Sequence, residues 1–196
     1  MSRVRVESLM SMDTVDLAEL YHAPVLAWDR IEDRLDAGFA QAPDGSAPDG
    51  SGAAGPGRHT CWLTSLNRDG SPHANAVGAI WVEHRFWFVT GLSTRRGRNL
   101  TADPRCLLAL SLRQFDLVVE GRAELVTDPE RIARLGRIWA EGEGWPCRVD
   151  ESGTALTAPF SAQSAGPAPW HVFGIDATSA HAVQTEEPFG ATRWRF

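Results

Sequence analysis

The sequence contains no lysine, and all 19 of its basic residues are arginine. This absence removes two classes of chemistry. A G-x-x-x-x-G-K-[ST] phosphate loop needs its lysine, and a Schiff base to pyridoxal phosphate needs a lysine amine. Cysteine is scarce as well. Cys61, Cys106 and Cys147 are odd in number and far apart, which fits neither a disulfide framework nor a metal motif. Cys61 and Cys106 lie in apolar, strand-like stretches where a reduced, buried thiol is expected. His59, His84, His171 and His181 share no ligand spacing, so no metal is expected. No apolar run approaches the ~20 residues that span a bilayer, and no export-signal pattern opens the chain. A cytosolic protein without a membrane segment is the simplest expectation. The net charge is −6 and there is no extended basic stripe, which argues against nucleic acid as a partner. No G-x-G-x-x-G joins a strand to a helix.

What is present is enough apolar content, 43% of 196 residues, to close one sizeable core. Helical spacing marks residues 15–20 and 25–35, with Asp13 or Asp16 as caps and Pro24 between the two pieces. Residues 41–57 are almost entirely Gly, Ala, Pro, Ser and Asp, the composition of a mobile loop. This divides the chain into an N-terminal arm and loop, 1–57, and a β-rich domain, 58–196. Strands are expected at 60–66, 73–82, 86–90, 105–112, 115–126 and 170–175, with a last one ending at Phe196. A helix opens at Asp128-Pro129 and carries Ile132, Leu135, Ile138 and Trp139 on one face. Hairpin-linked strands with few helices suggest a closed or partly closed antiparallel barrel, with a β-sandwich as the alternative.

The most informative segment is FWFVTGLSTRRGRNLTADPRCLLALSL, residues 86–112. Ser93, Thr94, Arg95, Arg96 and Arg98 gather three guanidiniums and two hydroxyls in an otherwise acidic chain. Thr94 can cap a helix over 95–102 and so set its positive end beside the arginines, which suits a phosphate. The alternative is a solvated basic turn balanced by nearby carboxylates.

The same segment resembles the phosphate-binding stretch of the pyridoxamine 5′-phosphate oxidase-like superfamily, the flavin and deazaflavin split-barrel oxidoreductases. The matching residues are Thr90, Thr94-Arg95-Arg96, Asn99-Leu100 and Asp103-Pro104-Arg105. Upstream, LTSLNRDGSPHANAV is similar to that family's first hairpin; downstream, SAQSAGPAPW and GATRWRF are similar to its loops and tails. The resemblance runs over roughly 58–196. It implies a mainly β fold, a six-stranded antiparallel split barrel, assembled as a homodimer with FMN or the deazaflavin F420 in clefts between subunits. Thr94, Arg95 and Arg96 would hold the cofactor phosphate. Asn75, Ala76, Val77, Val89 and Thr90 would line the ring and polyol chain. Asn99 would reach the cofactor or brace the turn, and Arg193 and Trp194 would close the site near the substrate.

Some positions depart from the family pattern. Arg96 stands where lysine is usual, Ala76 replaces a frequent proline, and Asp116 falls where the oxidases often have glutamine. ATRWRF takes the place of the R-L-x-x-R ending of true pyridoxamine phosphate oxidases, so vitamin B6 synthesis is not expected. The function implied is hydride transfer between FMN or F420 and a small organic substrate, with the catalytic side chains unknown. His73, beside the ring-binding strand, is either a proton donor or a turn histidine bonded to backbone. The alternatives are a non-catalytic dimer that binds flavin, F420 or haem, and an interaction module whose arginine turn is surface.

Overall fold

The structure, a computed structural model, describes residues 12–39, 61–112, 114–161 and 165–196. The loop expected at 41–57, the boundary at 57/58 and His59 lie outside them. Eleven strands and three α-helices are formed among the described residues. In chain order they are β1 (Asp13–Asp16), α1 (Trp28–Asp36), β2 (Cys61–Leu66), β3 (Pro72–Val77), β4 (Ala79–Val82), β5 (Arg85–Thr90), α2 (Arg95–Ala102), β6 (Arg105–Leu112), β7 (Phe115–Leu125), α3 (Pro129–Gly142), β8 (Arg148–Val149), β9 (Leu156–Thr157), β10 (His171–Gln184) and β11 (Gly190–Arg195). Nine strands form one antiparallel sheet along the path β1-β11-β10-β7-β6-β2-β3, and the β4–β5 hairpin joins it through β10.

β10 makes the barrel split. Its first residues pair with β5, His171 opposite Thr90, and its last with β11, Gln184 opposite Gly190. Between them the register against β7 shifts at Ala177/Ser179, and such a bulge bends a strand. β10 therefore serves two neighbours in succession on one edge. The sheet is mainly β and barrel-like, as expected, but not closed, and it has more than six strands.

Two elements differ from the expectation. The stretch expected as one strand, 73–82, breaks after Val77, so that β3 pairs with β2 while β4 pairs with β5. Residues expected to begin a helix at 15 instead form β1, paired with β11. Asp16 Oδ1 then accepts from the Ala18 amide at 2.8 Å, which turns the chain into a single 3₁₀ turn, Glu19–Tyr21. A ladder of backbone hydrogen bonds to β11 outweighs weak helical spacing. α2 and α3 start where the Thr94 and Asp128 caps place them, and Asp128 accepts from the Glu130 amide at 3.1 Å.

Alternation along β2, β6 and β7 buries every second side chain. These close on Phe86, Phe88, Phe173 and Trp194, with Leu26, Ile31 and Leu35 from α1 and the segment before it. The N-terminal arm is thus part of the main core. A second cluster, with Ile132, Leu135 and Trp139 of α3, packs against Ile80, Trp87 and Val172.

Candidate functional site

β5 delivers Thr90 to a tight turn, residues 91–94, from which α2 departs. Thr94 organises it. Its backbone is extended, with φ −70° and ψ 162°, and its hydroxyl accepts from the Gly97 amide at 3.0 Å. The same hydroxyl donates to the Gly91 carbonyl at 2.8 Å and lies 3.1 Å from Thr90 Oγ1. Arg98 donates to the Ser93 carbonyl. α2 presses closely on the turn it leaves: a Cβ on Gly97 would be driven into the Gly91 carbonyl and come within 2.8 Å of Leu92 Cα. The cap expected from the sequence is therefore present, and it is built on glycine as well as threonine.

The arginines divide by environment. Arg95 and Arg98 are exposed, whereas Arg96 is 2% exposed and burial pushes its guanidinium down to about 10. No acidic residue lies in the first turn of α2. The positive potential extends across to β3. His73 is held below its ordinary value, first by burial and then by the charges of Arg95 and Arg96. Asp69, in the β2–β3 turn, is lowered chiefly by hydrogen bonds from Ser71, with a smaller contribution from Arg95.

Asn99 is nearly buried and ties α2 to the neighbouring hairpin, donating to Ser65 Oγ at 3.3 Å and to Asn67 Oδ1 at 3.1 Å. Of its two expected roles, the structure shows the brace. Thr90, Thr94, Arg95, Arg96 and Asn99 are thus gathered in one place. The other expected residues are distributed more widely. Asn75 shares the inner face of β3 with His73, and its Oδ1 is sealed from solvent without a hydrogen-bond partner. Ala76 points to the opposite face of that strand. Val77 is core, and Val89 packs toward the α3 cluster. Arg193 and Trp194 are on β11, five ladder steps from β3. Trp194 has no exposed surface and meets Trp28 edge-on at 5.2 Å. The ring of Trp194, which the resemblance sets near the substrate, belongs to the core of this chain.

One wall of the turn was missed by the sequence reading. The Gly91 amide donates to the Ala165 carbonyl at 3.0 Å. Gly166, at φ +73°, leaves only enough room for the Thr94 methyl, 2.6 Å from where its Cβ would be. Trp170 Nε1 anchors this loop by donating to the Gly166 carbonyl at 2.9 Å. The next residue, His171, pairs with Thr90. Its Nδ1 is sealed and accepts or donates no hydrogen bond, and burial lowers its pKa. The available signal was the glycine two residues beyond the last serine of SAQSAGPAPW, followed by Trp-His at the start of a strand.

Burial pushes the Cys61 and Cys106 thiols up to about 12 and raises the half-buried Cys147 as well. Among the described residues no group of three or more His, Cys, Asp or Glu could hold a metal ion, and no helix is long and apolar enough to cross a membrane.

Comparison with known proteins bears on this geometry. The profile of the family described as pyridoxamine 5′-phosphate oxidase matches residues 53–184. A pyridoxine/pyridoxamine 5′-phosphate oxidase of Cupriavidus taiwanensis is 37% identical over 71 residues, 35% of this chain and 34% of the relative. The match therefore spans about a third of that curated relative's length. A conserved hypothetical protein of Mycobacterium tuberculosis is similar in structure, with a TM-score of 0.50 and 20% identity over 80% of this chain and 83% of that one. A solved F420 reductase gives a TM-score of 0.44 and 18% identity over 62% of this chain and 87% of its own.

Proposed function

From its membership of the pyridoxamine 5′-phosphate oxidase family, to which this chain belongs over residues 53–184, we propose an oxidoreductase that grips FMN or F420 by its phosphate at the Thr94 turn and acts on a small organic substrate. The observation that carries this reading is the first turn of α2. Cations at a helix N-terminus oppose the helix dipole, by about 0.3–1 kcal/mol each when exposed. Here Arg95 and Arg96 occupy that turn with Arg98 following, and no carboxylate is present there. Such an arrangement is favourable once an anion with about −1.5 to −2 charges is held against it. Arg96 is buried beside the turn, where a phosphate held there would meet its charge at short range.

Asn75 supports the fit on the neighbouring strand. Its sealed Oδ1 is an acceptor that a ligand N–H or O–H at the inner face of β3 would satisfy. Bound there, the cofactor would supply the hydride chemistry. This chain's residues would hold the phosphate, fix the ring beside β3 and exclude water with the 165–170 loop. His73 and His171 are the side chains placed to move a proton, since both are half-buried and held toward the neutral form.

A homodimer belongs to the same reading. Arg193 lies on β11, five ladder steps along the sheet from β3, and in this reading it reaches a cofactor near Asn75 from a second copy. Trp62, 52% exposed, and Val183, 46% exposed, stand on the outer face that such a copy would cover. The curated relative's oxidase activity is not carried over, because the match spans so little of that protein. A cytoplasmic location is proposed on the sequence reading alone.

The test is reconstitution with FMN and with F420, followed by chemical reduction and reoxidation by small acceptors. Binding followed by turnover supports the oxidoreductase. Binding of either cofactor without reoxidation by any acceptor favours a carrier dimer. Failure to bind both overturns the proposal.

A further inference from the structure

At the other end of β5 from the Thr94 turn lies a cavity of about 300 Å³, at the lower limit of the roughly 300–1,000 Å³ typical of small-molecule sites. Arg85 and Thr90 are the two ends of that strand, about 17 Å apart along it, so this cavity is separate from the arginine turn. Its floor is the main core, where Phe86, Val119 and Ile175 are each no more than 2% exposed. Its walls are aromatic. Trp28 and Phe196 meet edge-on at 5.0 Å and 67°, and Trp81 meets Phe86 at 4.8 Å and 60°. Unlike the other large rings of this core, Trp28, Trp81 and Phe196 are only partly buried.

Charge at the rim favours one sign. Glu32, Glu83 and Asp176 line the cavity with Arg85 and His84. Arg85 is already committed: it bonds Glu124 at 2.9 Å and Asp176 at 3.0 Å, and its guanidinium lies 4.7 Å from the centroid of Trp87. Arg134 of α3 bridges Glu83, and His84 Nδ1 is 3.0 Å from Glu32 of α1. Glu32, Glu83, Glu124 and Asp176 thus stand against the two guanidiniums of Arg85 and Arg134, so carboxylates are in excess at the rim. Glu83 and His84, at φ 56° and 59°, are the two central residues of the hairpin turn that joins β4 to β5, a turn type that takes positive φ at both, and this sets their side chains at the rim.

An aromatic box with a carboxylate rim attracts positive charge through the ring faces and through Coulomb interaction together. An anion would meet the rim's excess negative charge, and a purely apolar ligand would leave the carboxylates unused. We infer that this cavity binds a planar organic cation, an aromatic or heteroaromatic ring bearing a fixed or protonated nitrogen, seated between Trp28 and Trp81 with its charge toward Glu32 and Asp176. The site is independent of the cofactor turn and of the proposed redox reaction.

The experiment titrates the full chain at neutral pH with 1-methylquinolinium and with uncharged quinoline, following the tryptophan indole N–H signals by ¹H–¹⁵N NMR. The cation should shift the Trp28 and Trp81 signals and bind at least about tenfold more tightly than quinoline. Glu32→Gln should remove most of that difference and leave quinoline binding unchanged; Glu83→Gln provides the same readout if the first variant does not fold. The Arg95→Ala/Arg96→Ala variant should bind the cation as wild type does. Equal affinity for the two probes, no movement of either indole, or loss of binding in the arginine variant alone would each overturn the inference.

Discussion

Replacing Gly97 by alanine should damage the turn, although the same change in an ordinary helix is favourable. Alanine is preferred over glycine within a helix by about 1 kcal/mol. At Gly97 the added methyl meets only backbone: the Gly91 carbonyl oxygen, Leu92 Cα at 2.8 Å and Leu92 C at 3.0 Å. None of these can rotate away as a side chain would, so α2 or the 91–94 turn must shift. Overpacking of this kind costs about 1–3 kcal/mol, and rigid neighbours put Gly97 at the upper end. After the propensity gain, a net loss of about 2 kcal/mol remains, which lowers the melting temperature of a domain this size by about 4–8 °C. Gly142→Ala is the control, because nothing lies within 4 Å of its Cβ and it closes α3; it should melt at or slightly above wild type. Thermal unfolding by circular dichroism, with FMN and F420 titrations alongside, reads both consequences. Gly97→Ala melting with Gly142→Ala, with unaltered cofactor affinity, would refute the close-approach account of the turn.

Other outcomes follow from the same contacts. Asn99→Ala should destabilise the protein by about 1–3 kcal/mol in denaturant titration, because it leaves the buried Ser65 hydroxyl and Asn67 without their donor; a loss near zero would contradict the brace. His73 should titrate below its ordinary 6.5, since burial and the two arginines favour the neutral ring. The unfolded chain then binds more protons than the folded one just below pH 6.5, so the contribution of His73 to stability is complete above that pH and declines as pH falls through the lowered value. Inorganic phosphate at the turn should move the His73 pKa upward by countering Arg95 and Arg96, and an NMR titration unchanged by phosphate would place the anion elsewhere. Cys61 and Cys106, both pushed up to about 12, should resist a thiol-exchange reagent until denaturant is added; rapid labelling in the native state would contradict their burial.

Features that depend on neighbours in the chain were legible in the sequence. The Thr94 cap, the helix after it and the cluster of arginines are all set within ten residues, and each is found where the residue types place it. The helix behind Asp128 is legible for the same reason. What depends on distant partners was not. β1 exists because β11 offers it a ladder, and a single strand, β10, serves β5, β7 and β11 at different points along its length. Asn99 could be singled out by its motif, yet its bonds to Ser65 and Asn67 cross more than thirty positions. Trp194 entered the candidate site through the resemblance of GATRWRF to the family's tail; its enclosure in the core, with Trp28 of α1 edge-on at 5.2 Å, depends on distant partners. Arg96 was grouped with Arg95 by adjacency, whereas the rotation of about 100° between consecutive helical residues points the first inward and the second to solvent.

The central claim is that the Thr94 turn holds a cofactor phosphate, and the most direct measurement compares FMN with riboflavin, which differs by that phosphate alone. Both are titrated, by quenching of flavin fluorescence, into wild type and into the Arg95→Ala/Arg96→Ala variant; F420 and its phosphate-free deazaflavin form a parallel pair. The account predicts that wild type prefers the phosphorylated member of at least one pair by about tenfold or more, and that the preference collapses in the variant. Equal affinity for both members of each pair in wild type, or a preference that survives removal of the two arginines, would contradict it.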